Sequence, residues 1–182
     1  MHILKTEVII LYTFGRENAD FMHIALSHKP YAAAYVRGSE HYPTVVGRIL
    51  FYPAGKHGVL VVSNVHGLPV SGEQCRTDIF AMHIHENGAC ESCAKDAFLS
   101  AGGHLNPEDC PHPAHAGDLP PLFATTDGNA FGAVLTDRFG LVEIIGKSVI
   151  LHRNPDDFQT QPAGNAGERI ACGTIIKTTR HR

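Results

Sequence analysis

Apolar and β-branched residues recur along this chain in short runs parted by turn residues. The pattern predicts strands over 31–36, 44–51, 59–66, 78–85, 130–135, 148–152 and 169–175. The separators carry turn chemistry, as in Pro53-Ala54-Gly55, Gly67-Leu68-Pro69 and Asp127-Gly128-Asn129. No long helical period is present, and 137–145 is expected to make one short helical turn at most. Two stretches break the pattern, 87–123 and 154–168, and loops of that length inside a compact domain are usually functional. Short strands plus two elaborate loops predict an all-β domain, a β-sandwich or Greek-key barrel of seven or eight strands.

A length of 182 residues suits a single domain with a real core. The net charge of −3 is mild, and no basic run of the kind that binds nucleic acid appears; 177–182 reads as a solvated basic tail. No apolar stretch approaches the roughly 20 residues of a membrane span. Val8-Ile9-Ile10-Leu11-Tyr12 is apolar but short, Glu7 abuts it, and Arg16, Glu17 and Asp20 follow. A leader should show one basic end and then an unbroken apolar stretch. Residues 1–30 are therefore read as an N-terminal extension, which favours the cytoplasm over a secreted or cell-envelope location.

The five cysteines are Cys75, Cys90, Cys93, Cys110 and Cys172, an odd number that leaves one thiol free or pairs it between chains. Cys90-Glu91-Ser92-Cys93 has the spacing of a zinc or redox pair, a weak signal alone.

Histidine is the informative residue. His83, His85, His104, His112 and His115 crowd between Met82 and Asp118, and His152 ends a predicted strand. Neutral imidazole is the commonest metal ligand and suits zinc and copper. In Met82-His83-Ile84-His85 the two imidazoles share one strand face, since side chains alternate with period two, and both can reach one ion. His104 follows Gly102-Gly103 in a turn. His112, His115 and Asp118 lie within seven residues, and with His104 they would make a closed four-coordinate site typical of zinc. The plainer alternatives are a solvated strand face and a histidine-rich surface loop; Cys110 is a weaker candidate thiolate.

The segments His83-Ile84-His85-Glu86-Asn87-Gly88, Ser100 through Pro107, His115 through Leu119, and Gly164-Asn165-Ala166-Gly167-Glu168-Arg169-Ile170-Ala171-Cys172-Gly173 together resemble the copper/zinc superoxide dismutase family, in its bacterial form, over 31–176. The resemblance implies an eight-stranded Greek-key barrel. It implies that His83, His85, His104 and His152 hold copper, that His104, His112, His115 and Asp118 hold zinc, and that His104 bridges the two. It also implies that Asp156, outside both sets, hydrogen-bonds one histidine of each, here His83 and His112. Arg169 matches the family's anion-docking arginine. Cys172 matches the cysteine of the last strand, with Cys90 its implied disulfide partner and Cys93 the runner-up.

The implied reaction converts superoxide anion to dioxygen and hydrogen peroxide by alternate reduction and oxidation of copper, His104 carrying a proton in the cycle. A homodimer is compatible with the family. Two features depart from its best-known members: Ala81 stands where glycine is usual, and the His112–His115 gap is short. No lysine lies between Asn154 and Glu168, so weak electrostatic steering is expected. The rival readings are a copper or zinc buffer on the same scaffold, which has no need of Arg169, and a structural sandwich that binds no metal.

Overall fold

The computed structural model describes residues 21–75, 78–91 and 97–178. Cys93, residues 1–20 of the extension and residues 179–182 of the tail lie outside them.

Eight strands form one antiparallel sheet: β1 (Ala32–Gly38), β2 (Val46–Pro53), β3 (Val59–His66), β4 (Ile79–His85), β5 (Asp118–Phe123), β6 (Ala130–Thr136), β7 (Ser148–His152) and β8 (Arg169–Lys177). Their spatial order is β5-β4-β7-β8-β1-β2-β3-β6. The end strands β5 and β6 approach each other and nearly close the sheet into a barrel. The β3–β4 and β6–β7 connections cross over intervening strands, which gives the barrel its Greek-key character.

Seven of these strands coincide with the period-two runs. The eighth, β5, falls inside the stretch expected to be loop. Its sequence Asp-Leu-Pro-Pro-Leu-Phe carries two prolines, which cannot donate to a ladder. Such a strand survives at a sheet edge, and β5 pairs with β4 alone, with an irregularity between Phe80 and Met82. The expected helical turn near 137–145 is a run of turns instead; Glu143 closes it by accepting the Gly140 N–H.

Alternation along each strand fills the barrel. Ile49, Phe51, Val61, Phe80, Met82, Ile84, Val149, Leu151 and Ile175 interdigitate inside it, all essentially inaccessible. Burying side chains of this size contributes about 2 kcal/mol each. On β4 and β7 the opposite face is buried too. Ile150 and Cys172 on that outer face pack against Phe98 and Ala101 of the long loop. A disulfide between Cys90 and Cys172 ties the start of that loop to β8. The loop therefore roofs the outer face of β4, β7 and β8, and beneath this roof lie the histidines.

Part of the extension is ordered against the barrel. Helix α1 (Phe21–Ser27) sets Phe21, Ile24 and Ala25 against Tyr52, Ala54 and Leu60 on the outside of the sheet.

Candidate metal centre

His83 and His85 project from the outer face of β4, and Met82 and Ile84 from its core face, as period two requires. His152 ends the neighbouring strand β7, and β4 and β7 are paired through Met82–Leu151 and His83–Ile150. His104 is fixed beside them by backbone pairing: it bridges His85, and Leu105 N–H donates to the Ile84 carbonyl at 2.8 Å. Glu86 locks the turn before it, donating its N–H to the Gly103 carbonyl and accepting the Gly103 N–H at Oε1, each at 3.0 Å. Gly102 takes φ +75°, and a Cβ there would stand 2.3 Å from that carboxylate, so a larger residue would strain the turn and displace Glu86.

Two buried sets of ligand atoms result, His83, His85, His104 and His152, and His104, His112, His115 and Asp118. Within each set the donor atoms lie within 4.8 Å of one another. His104 belongs to both.

Hydrogen bonds decide which nitrogen each ring presents. His83 Nε2–H donates to Asp156 Oδ2 at 2.8 Å, and His112 Nε2–H to Asp156 Oδ1 at 2.9 Å. His85 Nδ1–H donates to the Gly102 carbonyl at 3.0 Å, and His152 Nδ1–H to the Gly167 carbonyl at 3.3 Å. Carbonyls and carboxylates only accept, so in each neutral ring the committed nitrogen carries the single proton and the other carries a lone pair.

These lone pairs converge. His85 Nε2 and His152 Nε2 stand 3.4 Å apart, and neither has a proton to give the other. His112 Nδ1 lies 3.0 Å from Asp118 Oδ2, again acceptor against acceptor. His83 Nδ1, His104 Nε2 and His112 Nδ1 are buried and have no hydrogen-bond partner. Orphaned, mutually repelling acceptors are costly in a protein interior, and a cation placed between them removes the cost. The residues present fit two metal ions.

Electrostatics agree. Burial pushes His83 and His85 down to about 2, helped by neighbouring imidazoles, and burial takes His152 to about 4. These rings are therefore neutral, the form that ligates a metal. Burial alone would raise Asp118, but the His104 hydrogen bond and the neighbouring imidazoles outweigh it and hold the carboxyl below its ordinary value. The Asp118 carboxylate thus brings a buried negative charge to a cluster that holds neutral His83, His85 and His152, and a divalent cation would neutralise it.

An open cavity of about 380 Å³ reaches one side of this cluster, with His85, His104, His152 and Arg169 in its wall. Arg169 begins β8; its Nη1–H donates to the Phe98 carbonyl and its Nη2–H to the Gly102 carbonyl, each at 2.6 Å. Burial draws its guanidinium down from the ordinary value.

A family model described as copper/zinc superoxide dismutase matches residues 45–175. The chain belongs to the copper/zinc superoxide dismutase family. Among bacterial members, superoxide dismutase [Cu-Zn] 2 of Aquifex aeolicus is 38% identical over 132 residues, which span 65% of this chain and 72% of that one. The enzyme of Caulobacter vibrioides is 35% identical over 135 residues, spanning 65% and 72%. The crystal structure of the clock protein EA4 superposes with a TM-score of 0.67 at 30% identity, covering 82% of this chain and 96% of that one.

Of the residues named by the resemblance, the structure gathers His83, His85, His104, His112, His115, Asp118 and His152 into one cluster, sets Asp156 between His83 and His112, and places Arg169 at the open side. Asp157, adjacent in sequence, plays another part: it is exposed and its carboxylate closes the turn 157–160. Cys110 is a free thiol whose Sγ faces the Glu108 carbonyl at 3.9 Å, outside both donor sets. Ala81 is wholly buried and its methyl is accommodated in β4. Sequence reasoning missed the Gly102 carbonyl, the Glu86 clamp and the contacts of Gln161, because none carries a spacing signal.

Proposed function

We propose that this protein converts superoxide to dioxygen and hydrogen peroxide, with copper held by His83, His85, His104 and His152 and zinc by His104, His112, His115 and Asp118. The observation that carries this reading is Arg169 in the wall of an open cavity that also exposes His85, His104 and His152 of the all-imidazole donor set.

The donor sets support the division of metals. Four imidazoles, three of them in the cavity wall, suit a redox-active copper, and three imidazoles with a carboxylate suit a closed zinc site. When bound, copper supplies a one-electron acceptor and donor and zinc a redox-inert charge.

The chain's own groups do the rest. Arg169 uses two N–H groups to fix itself on the Phe98 and Gly102 carbonyls. The remaining N–H groups of its fork can hold a small anion in the cavity. His104 has Nδ1 turned to Asp118, at 2.8 Å, and His115, at 3.4 Å. Its Nε2, otherwise without a partner, is the atom at which a proton can be held and passed to the anion. Asp156 and the Gly102 and Gly167 carbonyls hold His83, His112, His85 and His152 in the required tautomers, as outer hydrogen bonds to metal-binding histidines do.

A metal buffer on the same scaffold would bind both ions without removing superoxide. The deciding experiment is superoxide removal by metal-loaded wild type, Arg169→Lys and Arg169→Ala. Activity falling in that order at unchanged metal content supports catalysis; equal and negligible rates in all three would leave only the buffer.

A further inference from the structure

The zinc ligand His112 sits between Pro111 and Pro113. Neither proline has a backbone N–H, so no regular ladder can hold this segment. Its backbone is gripped instead by one side chain from the other long loop. Gln161 Oε1 accepts the His112 N–H at 3.0 Å, and Gln161 Nε2–H donates to the His112 carbonyl at 2.6 Å. The carboxamide orientation is unambiguous, since an N–H only donates and a C=O only accepts. The same loop supplies Asp156, which accepts the His112 Nε2–H. His112 is thus held at its ring and at both polar groups of its backbone by residues 156 and 161.

The segment between these two is itself fixed. Asp157 Oδ1 accepts the N–H groups of Gln159 and Thr160 at 2.9 and 2.8 Å, and Oδ2 accepts the Thr160 hydroxyl at 2.6 Å. Gly164 then passes so close that a Cβ would stand 2.0 Å from Asp156 Oδ1 and 2.7 Å from His112 Nε2.

We propose that Gln161 is the positioning residue of the zinc half of the site: its carboxamide sets the His112 backbone so that Nδ1 points at the zinc position while Nε2 meets Asp156. This rests on the assignment of zinc to His104, His112, His115 and Asp118. Gln161 is exposed at the surface, so its replacement leaves the core intact. The consequence is selective, because residues 83, 85 and 152 hang on strands β4 and β7 and do not depend on this grip.

The test compares wild type, Gln161→Met and Gln161→Glu as full-length, copper-loaded protein. Methionine fills the space without hydrogen bonds; glutamate keeps the acceptor but sets an oxygen against the His112 carbonyl. Zinc affinity is measured by competition with a chelator, and cobalt(II) replaces zinc as a spectroscopic reporter of ligand geometry. Both variants should lose about tenfold to a hundredfold in zinc affinity, the usual effect of removing an outer-shell contact, and should alter the cobalt absorption. Copper affinity should stay at the wild-type value. Asp157→Ala, which loosens the turn that presents Gln161, should shift zinc affinity the same way by less, and serves if a Gln161 variant does not fold. Unchanged zinc affinity and cobalt spectrum would overturn the proposal, as would an equal loss of both metals. Wild type that takes up no zinc would overturn the zinc assignment itself, before any variant is compared.

Discussion

Arg169 and His85 share one acceptor. The Gly102 carbonyl takes Nη2–H of the arginine at 2.6 Å and Nδ1–H of the imidazole at 3.0 Å. The group proposed to dock the anion and a proposed copper ligand are therefore referenced to the same oxygen, two residues before His104.

Arg169→Ala should lower kcat/KM for superoxide roughly tenfold to a hundredfold, the effect of losing a charged hydrogen-bond partner worth about 1.5–3 kcal/mol. Arg169→Lys keeps the charge without the planar fork and should fall between. Pulse radiolysis on metal-loaded protein measures this. A variant as fast as wild type would remove the arginine from the reaction.

Asp156→Asn should weaken zinc binding about tenfold or more. The carboxylate accepts from His83 and His112 at once, and a carboxamide can accept only with its oxygen and sets an NH₂ against the second ring. Chelator competition reads the loss, and a shift in the copper spectrum should accompany it through His83. Full zinc retention would count against this bridging role.

Salt should matter little to the rate. Lys147 Nζ is tied to the Glu86 carbonyl at 2.8 Å, and Arg153 lies over the Phe80 ring at 5.5 Å. With those cations held away from the cavity wall, Glu168 next to Arg169 and no lysine between 154 and 168, a weak field is expected at the cavity mouth. The rate should change less than about threefold for a tenfold rise in ionic strength. A steep fall would show stronger steering than these charges provide.

The metal-free protein should lose stability as pH falls below about 6.5. His83 and His85 are pushed down to about 2 and His152 to about 4, from an ordinary 6.5. Between those values the unfolded chain binds protons that the folded one refuses, so acid favours unfolding. Three such rings contribute up to about 4 kcal/mol per pH unit at the steepest point. Urea midpoints at about pH 7.5 and about pH 5.5 check the sign. A midpoint that holds or rises toward acid would contradict it.

Reducing the disulfide should destabilise the loop roof together with the fold. Cys90 and Cys172 are 82 residues apart in sequence. Closing a loop of that length restricts the unfolded chain by about 4.5 kcal/mol. Cys90→Ser should lower the melting temperature in non-reducing buffer to that of the reduced wild type. A variant as stable as the oxidised protein would show that the packing of Phe98 on Ile150 suffices alone.

Some of this was legible in the chain. Period two in Met82-His83-Ile84-His85 put both imidazoles on one face, because strand geometry is local and each residue's side follows from its neighbours. The same logic overlooked β5: Pro120 and Pro121 speak against a strand, and only the sheet edge, a non-local fact, lets them stay. Asp156 and Asp157 are chemically identical neighbours. One is buried between His83 and His112, the other exposed and turned into its own loop, and nothing in the run Asn154-Pro155-Asp156-Asp157 separates them.

The sequence alone determined seven of the eight strands, through short-range periodicity, and its motifs, through their resemblance to the family, singled out the seven candidate ligands. The tertiary structure alone decided which nitrogen each ring presents, which carbonyl Arg169 shares with His85, and which side chain grips His112. Those contacts join residues 17, 67 and 49 positions apart. Hydrogen bonds of a few ångströms between separate loops depend on how the barrel brings those loops together, and local sequence does not encode that approach.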